Sequence, residues 1–258
     1  MLFRSALRPE GIEWPRHDDG RPSFKLEHLS AANGLAHAQA HDALSDVRAT
    51  IALAALIRNR QPRLWNFCLA LRQKQAVLTE IGSDRPFIHV SAMYGAERGG
   101  MAVVWPLAQH PTNRNELIVW DLIHDPAELA DLDTEQIRLR LFSKTEDLPE
   151  GMTRLPIRSL AINKSPIVIG NLKVLTPAVI ERWRIDMEAI ARHTETARRL
   201  APQLASRMDE VYQRPRPQGP APDVDGDLYG GFIGNDDRRR LDDWRLTQIG
   251  RASCRERV

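Results

Sequence analysis

Cysteine is nearly absent from this chain. Only Cys68 and Cys254 occur, which excludes a disulfide framework and a zinc site built from cysteines. Cys68 falls within an apolar helical pattern and reads as a buried core thiol. No apolar run is long enough to cross a bilayer, and no signal-peptide hydrophobic segment follows Met1. The expected location is therefore the cytoplasm, with no membrane partner. Charge of one sign is also scarce: the net charge is +2, too small for a general polyanion coat. Any contact with nucleic acid must then come from local clusters. What remains, 42% hydrophobic and 27% charged residues in 258, is the composition of a globular protein of one large or two ordinary domains.

Along the chain, "SFKLEHLSAANG" predicts a short helix with Ser23 as N-cap, Phe24, Leu26 and Leu29 as its buried stripe, and Gly34 as its stop. Asp42 to about Arg58 predicts a helix apolar nearly all round, the kind that belongs inside a sizeable domain. Too few strands surround it to make that domain, so its apolar surface is expected to promote association. Pro62 marks the first turn of another helix, continued by Leu64, Cys68, Leu71 and Leu78. Then "PFIHVSAMYG", "GMAVVWPL", "ELIVWDL", "LPIRSLAI" and "SPIVIG" read as short strands between Gly, Pro and Asn turns, predicting a small antiparallel, barrel-like β domain. "LDTEQIRLRLF" interrupts it as a helix, with Asp133 and Gln136 at capping-box positions. Thr176-Pro177 opens a helix carrying Val179, Trp183, Met187 and Ile190, and a second helix is expected after Pro202 with Leu204, Met208 and Val211. A proline-rich linker follows, and "LYGGFIGNDDRRRLDDW" reads as the opening of a further unit. The string "QIGRASCRERV" resembles read-through of a sequencing adapter and is expected to lie outside the fold.

His41 and Asp46 stand out chemically. In a continuous helix five residues turn about 500°, leaving the two side chains about 140° apart. If Asp42 caps the helix, His41 lies in the lead-in loop and can fold over the face that Asp46 presents. That geometry suits a metal-ligating Asp46 beside a basic His41. His37 and His41 are four apart and are an alternative zinc pair, without the glutamate of the metalloprotease motif. An ordinary lead-in histidine is a further alternative.

"HDALSDVRATIALAALI" is similar to the last motif of DEDD-type 3′→5′ exonucleases in which a histidine precedes the final aspartate. "ALRPEGIEWP", "DDGRPSFKLEHLSAANGLAHAQAHDALSDVRATIALA", "RQPRLW", "HPTNRNELI", "INKSP" and "DLYGGF" together resemble the bacterial exodeoxyribonuclease I family, in order, as far as about Thr247. The resemblance implies an α/β plus β fold. Residues 1–60 would be the C-terminal part of a ribonuclease-H-like exonuclease domain and 61–213 an SH3-like β-barrel domain with flanking helices. Residues 214–226 would be a linker, and 227–247 the start of a helical domain.

The implied reaction is Mg²⁺-dependent hydrolysis of single-stranded DNA from its 3′ end, releasing mononucleotides in repair and recombination. Single-stranded DNA-binding protein is the implied partner and a monomer the implied state. Asp46 would ligate metal and His41 act as general base, since a neutral imidazole can take the proton of the attacking water. The family's other carboxylates, expected upstream of "LRPEG", are absent from this sequence, so the chain itself is expected to be inactive. Lys25, Lys74, Asn115, Phe142 and Lys164 are the candidate DNA contacts, and Arg8 the candidate contact for the partner. Lys25 stands where the family usually carries arginine, so a point charge replaces a bidentate fork. A non-catalytic DNA-binding module is the competing reading.

Overall fold

All five Val- and Ile-rich runs are strands: β1 (Phe87–Val90), β2 (Met101–Gln109), β3 (Glu116–Asp121), β4 (Ile157–Ala161) and β5 (Ile167–Ile169). They pair antiparallel in one sheet ordered β4-β3-β2-β1-β5. The structure is a computed structural model and describes residues 11–36, 43–213 and 233–252. The helices are α1 (Leu26–Ala32), α2 (Ala43–Arg60), α3 (Pro62–Ala70), α4 (Lys74–Ile81), α5 (Glu128–Asp131), α6 (Thr134–Phe142), α7 (Pro177–Trp183), α8 (Met187–Tyr212) and α9 (Asn235–Ala252). The chain divides into two compact units, Met1–Arg214 and Pro215–Val258; α9 is the described part of the second.

β2 pairs with β1 through Met101–Val104 and with β3 through Val104–Gln109, so it passes from one neighbour to the other and the sheet curls. Pro106, which has no N–H to give a ladder, lies beyond the last residue paired with β1, at a register shift between Pro106 and Ala108. Strand alternation sends Ile88, Val103, Trp105 and Trp120 to one core and Phe87, Val104, Val119 and Val168 to another. α6, α7 and α8 close the first core with Ile137, Leu141, Trp183, Ile190 and Leu204. The second is closed by Leu71 and by Val77 and Ile81 of α4. Both faces of the sheet are therefore covered.

A third, smaller core joins Ile12, Leu29, Leu53 and Ile57, with Trp14 and Trp65 packed against it. α2 turns Ala49, Leu53 and Ile57 inward. Leu44, Val47 and Ile51 point outward at 56%, 55% and 63% exposure, a stripe spaced three and four residues apart.

Four sequence expectations need correction. Ser23 does not cap α1: its N–H donates to the Pro15 carbonyl (2.8 Å), its hydroxyl contacts His28 Nδ1 (2.8 Å), and Lys25 takes the cap position. The break expected at Pro202 falls instead at Arg184, in the left-handed region (φ 51°), and Asp186 then caps α8 by accepting from the Ala189 N–H at 2.8 Å. Pro202 stays inside α8, whose stripe from Ile190 to Val211 is buried along its length. Cys68 is half-buried, not a full core thiol. Leu78 is 39% exposed, because the helix stops at Ala70, restarts at Lys74 and presents Val77 and Ile81 instead. The Asp133–Gln136 capping box forms as expected, with bonds of 2.7 and 2.9 Å.

Two polar pairs stand inside the sheet layer. Arg98 donates to both oxygens of the buried Asp121 carboxylate at 2.6 and 3.0 Å. His89 of β1 lies 2.8 Å from the Tyr94 hydroxyl through Nδ1.

Two outcomes follow from this packing. The outward stripe of α2 is expected to drive self-association at tens of micromolar (an order-of-magnitude choice), relieved in Val47→Glu/Ile51→Lys; a wild-type chain that stays monomeric in light scattering contradicts this. Burial lowers the His89 pKa from 6.5 to about 4. The unfolded chain thus takes up a proton below pH 6.5 that the folded chain refuses until about pH 4, so stability is full above the window and falls with pH through it. The loss is about 3 kcal/mol. His89→Gln, which cannot ionise, should flatten the pH dependence of urea unfolding; equal slopes in both proteins would remove His89 as the cause.

Candidate nucleic-acid interface

The loop joining β2 to β3, "HPTNRN" at 110–115, is built to hold one shape. The His110 N–H donates to the Glu116 carbonyl (3.0 Å), closing the hairpin. Asn113 Oδ1 accepts from the Asn115 N–H (3.0 Å), and its amide donates to Glu116 Oε1 (2.8 Å). The other Glu116 oxygen accepts from the Ser159 hydroxyl of β4. The carboxylate nearest the loop is thus engaged from two sides.

Three of the predicted contacts meet at this end of the sheet. Lys74, the first residue of α4, donates from Nζ to Asn115 Oδ1 at 2.8 Å. The Asn115 carbonyl accepts from the Ile162 N–H (2.8 Å), which ties in the β4–β5 turn "INKSP" that carries the exposed Lys164. Neither segment contains a carboxylate, while Arg114 and Lys164 are exposed within them. One N–H of the Lys74 ammonium is used by Asn115, leaving two for an incoming acceptor.

Phe142, at the last position of α6, is linked to the same loop through Tyr212. Its ring lies 5.4 Å from Tyr212 at 82°, and Tyr212 lies 4.6 Å from His110 at 70°. His110 and Tyr212 were not legible as site residues. The only sequence signal was a loop of His, Pro, Thr, Asn and Arg without an acid; nothing marked Tyr212, which arrives from the end of α8.

The remaining predicted residues lie elsewhere. Lys25 precedes α1, exposed, with Nζ 3.9 Å from Glu27. Asp46 is half-buried on the first turn of α2, where its carbonyl accepts from the Thr50 hydroxyl (2.8 Å). Lys25 flanks one helix of the third core and Asp46 stands on another. His41, its alternative partner His37, and Arg8 lie outside the described residues. Among the described residues no group of three or more His, Cys, Asp or Glu side chains is placed to hold a metal ion. Asp46 supplies one carboxylate, which cannot fix two divalent ions, so these residues do not by themselves fit a two-metal centre.

A curled antiparallel sheet with a helical layer on each face is the architecture of an SH3-like domain elaborated by helices. The family model described as the Exonuclease I SH3-like domain matches residues 72–214, and the chain belongs to that family. It is 41% identical over 238 residues to exodeoxyribonuclease I of Escherichia coli (strain K12), covering 92% of this chain and 50% of that protein. The crystal structure of E. coli exonuclease I in complex with a dA16 oligonucleotide is similar with a TM-score of 0.81 at 39% identity, over 94% of this chain and 52% of that one. The zinc ion-bound form of the E. coli exonuclease I–single-stranded DNA complex is similar with a TM-score of 0.81 at 37% identity, over 95% and 52% of the two chains. The chain spans about half the length of these relatives.

Proposed function

We propose that this chain is part of a cytoplasmic, Mg²⁺-dependent exodeoxyribonuclease that degrades single-stranded DNA from the 3′ end to mononucleotides during repair and recombination. In this reading the described β domain supplies the strand-holding surface. The observation that carries it is the loop end where Lys74 is bonded to Asn115 and the Asn115 backbone ties in the turn that carries Lys164. Ammonium groups answer the phosphate backbone, and an amide and a ring answer the bases without reading sequence. The solved relatives that hold single-stranded DNA, one also with zinc, support the substrate class and a metal-dependent reaction.

Residues 1–60 belong, on this proposal, to a ribonuclease-H-like exonuclease domain, followed by the SH3-like domain at 61–213, the linker at 214–226 and a helical domain opening at 227–247. Asp46 is one metal ligand, His41 the general base, Lys25 a backbone contact, and Arg8 the contact for single-stranded DNA-binding protein, with a monomeric parent enzyme. We further propose that the 258-residue chain by itself binds DNA without cutting it, since one assigned carboxylate, Asp46, does not fix two divalent ions. The same observation favours the second reading, a non-catalytic DNA-binding module, for the behaviour of this polypeptide by itself.

The test is a single-turnover 3′-end assay with Mg²⁺ beside a binding titration over salt. No mononucleotide release is expected, while single-stranded DNA binds with an affinity that falls as salt rises. Lys74→Met and Lys164→Met are each expected to reduce the salt slope by about 0.7. Robust release refutes the proposal that this chain does not cut DNA by itself, and lysine variants with unchanged slopes refute the loop end as the phosphate-holding surface.

A further inference from the structure

We propose that the cavity where α7 turns into α8 binds a single deoxynucleoside monophosphate, its base meeting Arg98 and Trp183 and its phosphate Arg184; the choice of ligand rests on the single-stranded DNA reading above. The cavity has a volume of about 240 Å³, with Met101 and Val103 of β2, Asp121 of β3, Leu175, Trp183 and Ile190 in its walls. It stands at the Asp121 end of β3, whereas the Lys74–Asn115 loop stands at the Glu116 end. The two ends are about 17 Å apart along the strand. Pockets for drug-sized ligands begin at about 300 Å³, so this one takes one ring system and not a dinucleotide.

The polar groups of the cavity offer donors more than acceptors. Arg98 spends two of its five N–H groups on Asp121 (2.6 and 3.0 Å), which leaves three. Both Asp121 oxygens are taken, and Oδ1 also accepts from the Ile123 N–H at 3.2 Å. Asp186, the other acid in the wall, accepts from the Ala189 N–H as the α8 cap. Trp183 is 9% exposed, and its Nε1–H is buried with no acceptor among the described residues. The indole is held in place: a Cβ at Gly99 would lie 2.8–3.0 Å from it, and the Arg182 guanidinium stands 5.1 Å from its centroid. A buried donor without an acceptor is a standing cost that a ligand's acceptor removes. An aliphatic side chain or lipid tail would leave these donors unmet, and a cation would find no carboxylate with both oxygens open. A nucleobase brings apolar faces and acceptors on its edge, and thymine carries two carbonyl oxygens. Arg184 lines the same cavity, is exposed, and forms no ion pair among the described residues; the same holds for Arg182. Burial and then the charge of Arg16 lower the Arg182 pKa, so a further cation acts at this mouth. Two unpaired guanidinium groups thus flank Trp183, and a phosphate is the group that answers them.

The experiment titrates the full 258-residue chain with thymidine 5′-monophosphate, thymidine and inorganic phosphate by ligand-observed NMR. The monophosphate is expected to bind with a dissociation constant of about 1 mM or tighter. Thymidine should bind about ten-fold more weakly, since a bond to a charged group is lost, and phosphate alone more weakly still. Arg184→Gln should bring the monophosphate to the level of thymidine and leave thymidine unchanged. Trp183→Phe, which costs the fold no hydrogen bond, should weaken both about five-fold. Ala189→Leu, which fills the cavity from α8, gives an independent loss of both. Oligo-dT binding and its salt slope should stay at wild-type values in all three variants, and Lys74→Met should leave monophosphate binding intact. A monophosphate that binds no better than phosphate overturns the proposal, as do Trp183→Phe and Ala189→Leu proteins with wild-type affinities. Loss of monophosphate binding in Lys74→Met puts the nucleotide at the loop end and overturns it too. Wild type that binds the monophosphate but not oligo-dT overturns the strand-holding reading and leaves the cavity; the reverse overturns the cavity alone.

Discussion

The fold depends on burial of both faces of one five-stranded sheet. Trp105 and Trp120 are opposed in the β2–β3 register and point to the same core, while Val104 and Val119 point to the other. A one-residue slip of β2 would exchange its large and small sets between cores of different shape, so register is fixed from both sides at once. The two helical layers follow from this demand. It also explains how α8 keeps Pro202: an internal proline costs about 3 kcal/mol, but each fully buried aliphatic of its stripe returns about 1.5–3 kcal/mol, and Leu204, Met208 and Val211 lie beyond the proline with 1% exposure or less.

On the proposed function, with both faces covered, polar recognition is left to the ends of the sheet. Several guanidinium groups are already committed to the fold. Arg98 is bound to Asp121, Arg207 donates to the carbonyls of Leu129 (2.6 Å) and Leu132 (3.0 Å), and Arg138 secures the end of α8. The net charge of +2 therefore understates how selectively cations remain for a ligand. Those at the β2–β3 loop and the β4–β5 turn stand in segments without acids, where local potential and overall charge part company.

Much of this was legible because it is local. Five strands followed from β-branched runs punctuated by Gly, Pro and Asn, and the capping box followed from Asp133 and Gln136 at the right spacing. Lys74, Asn115 and Lys164 were each visible as charged or turn residues, but their convergence was not: it depends on α4 packing over the second core and on Asn115 pairing with Ile162. The same limit hid Tyr212, whose partners His110 and Phe142 belong to a different helix and a different loop. The misplaced break at Pro202 has a different origin. Proline is a strong local signal, and the buried stripe that overrides it is a tertiary one. At Arg184 the reverse holds, since a left-handed arginine leaves no mark in composition.

On the proposed function, chemistry and strand-holding rest on different cores. Asp46 rides on α2, anchored inward by Ala49, Leu53 and Ile57, whereas the loop end belongs to the sheet. α3 connects the two: Trp65 packs on the third core, and Phe67, two residues on, packs against both cores of the sheet. Two side chains of one nine-residue helix thus set the placement of the carboxylate relative to the lysines and rings. A helix is stiff over that length, so the spacing between where a strand is held and where its end would react is determined by packing and not by a linker.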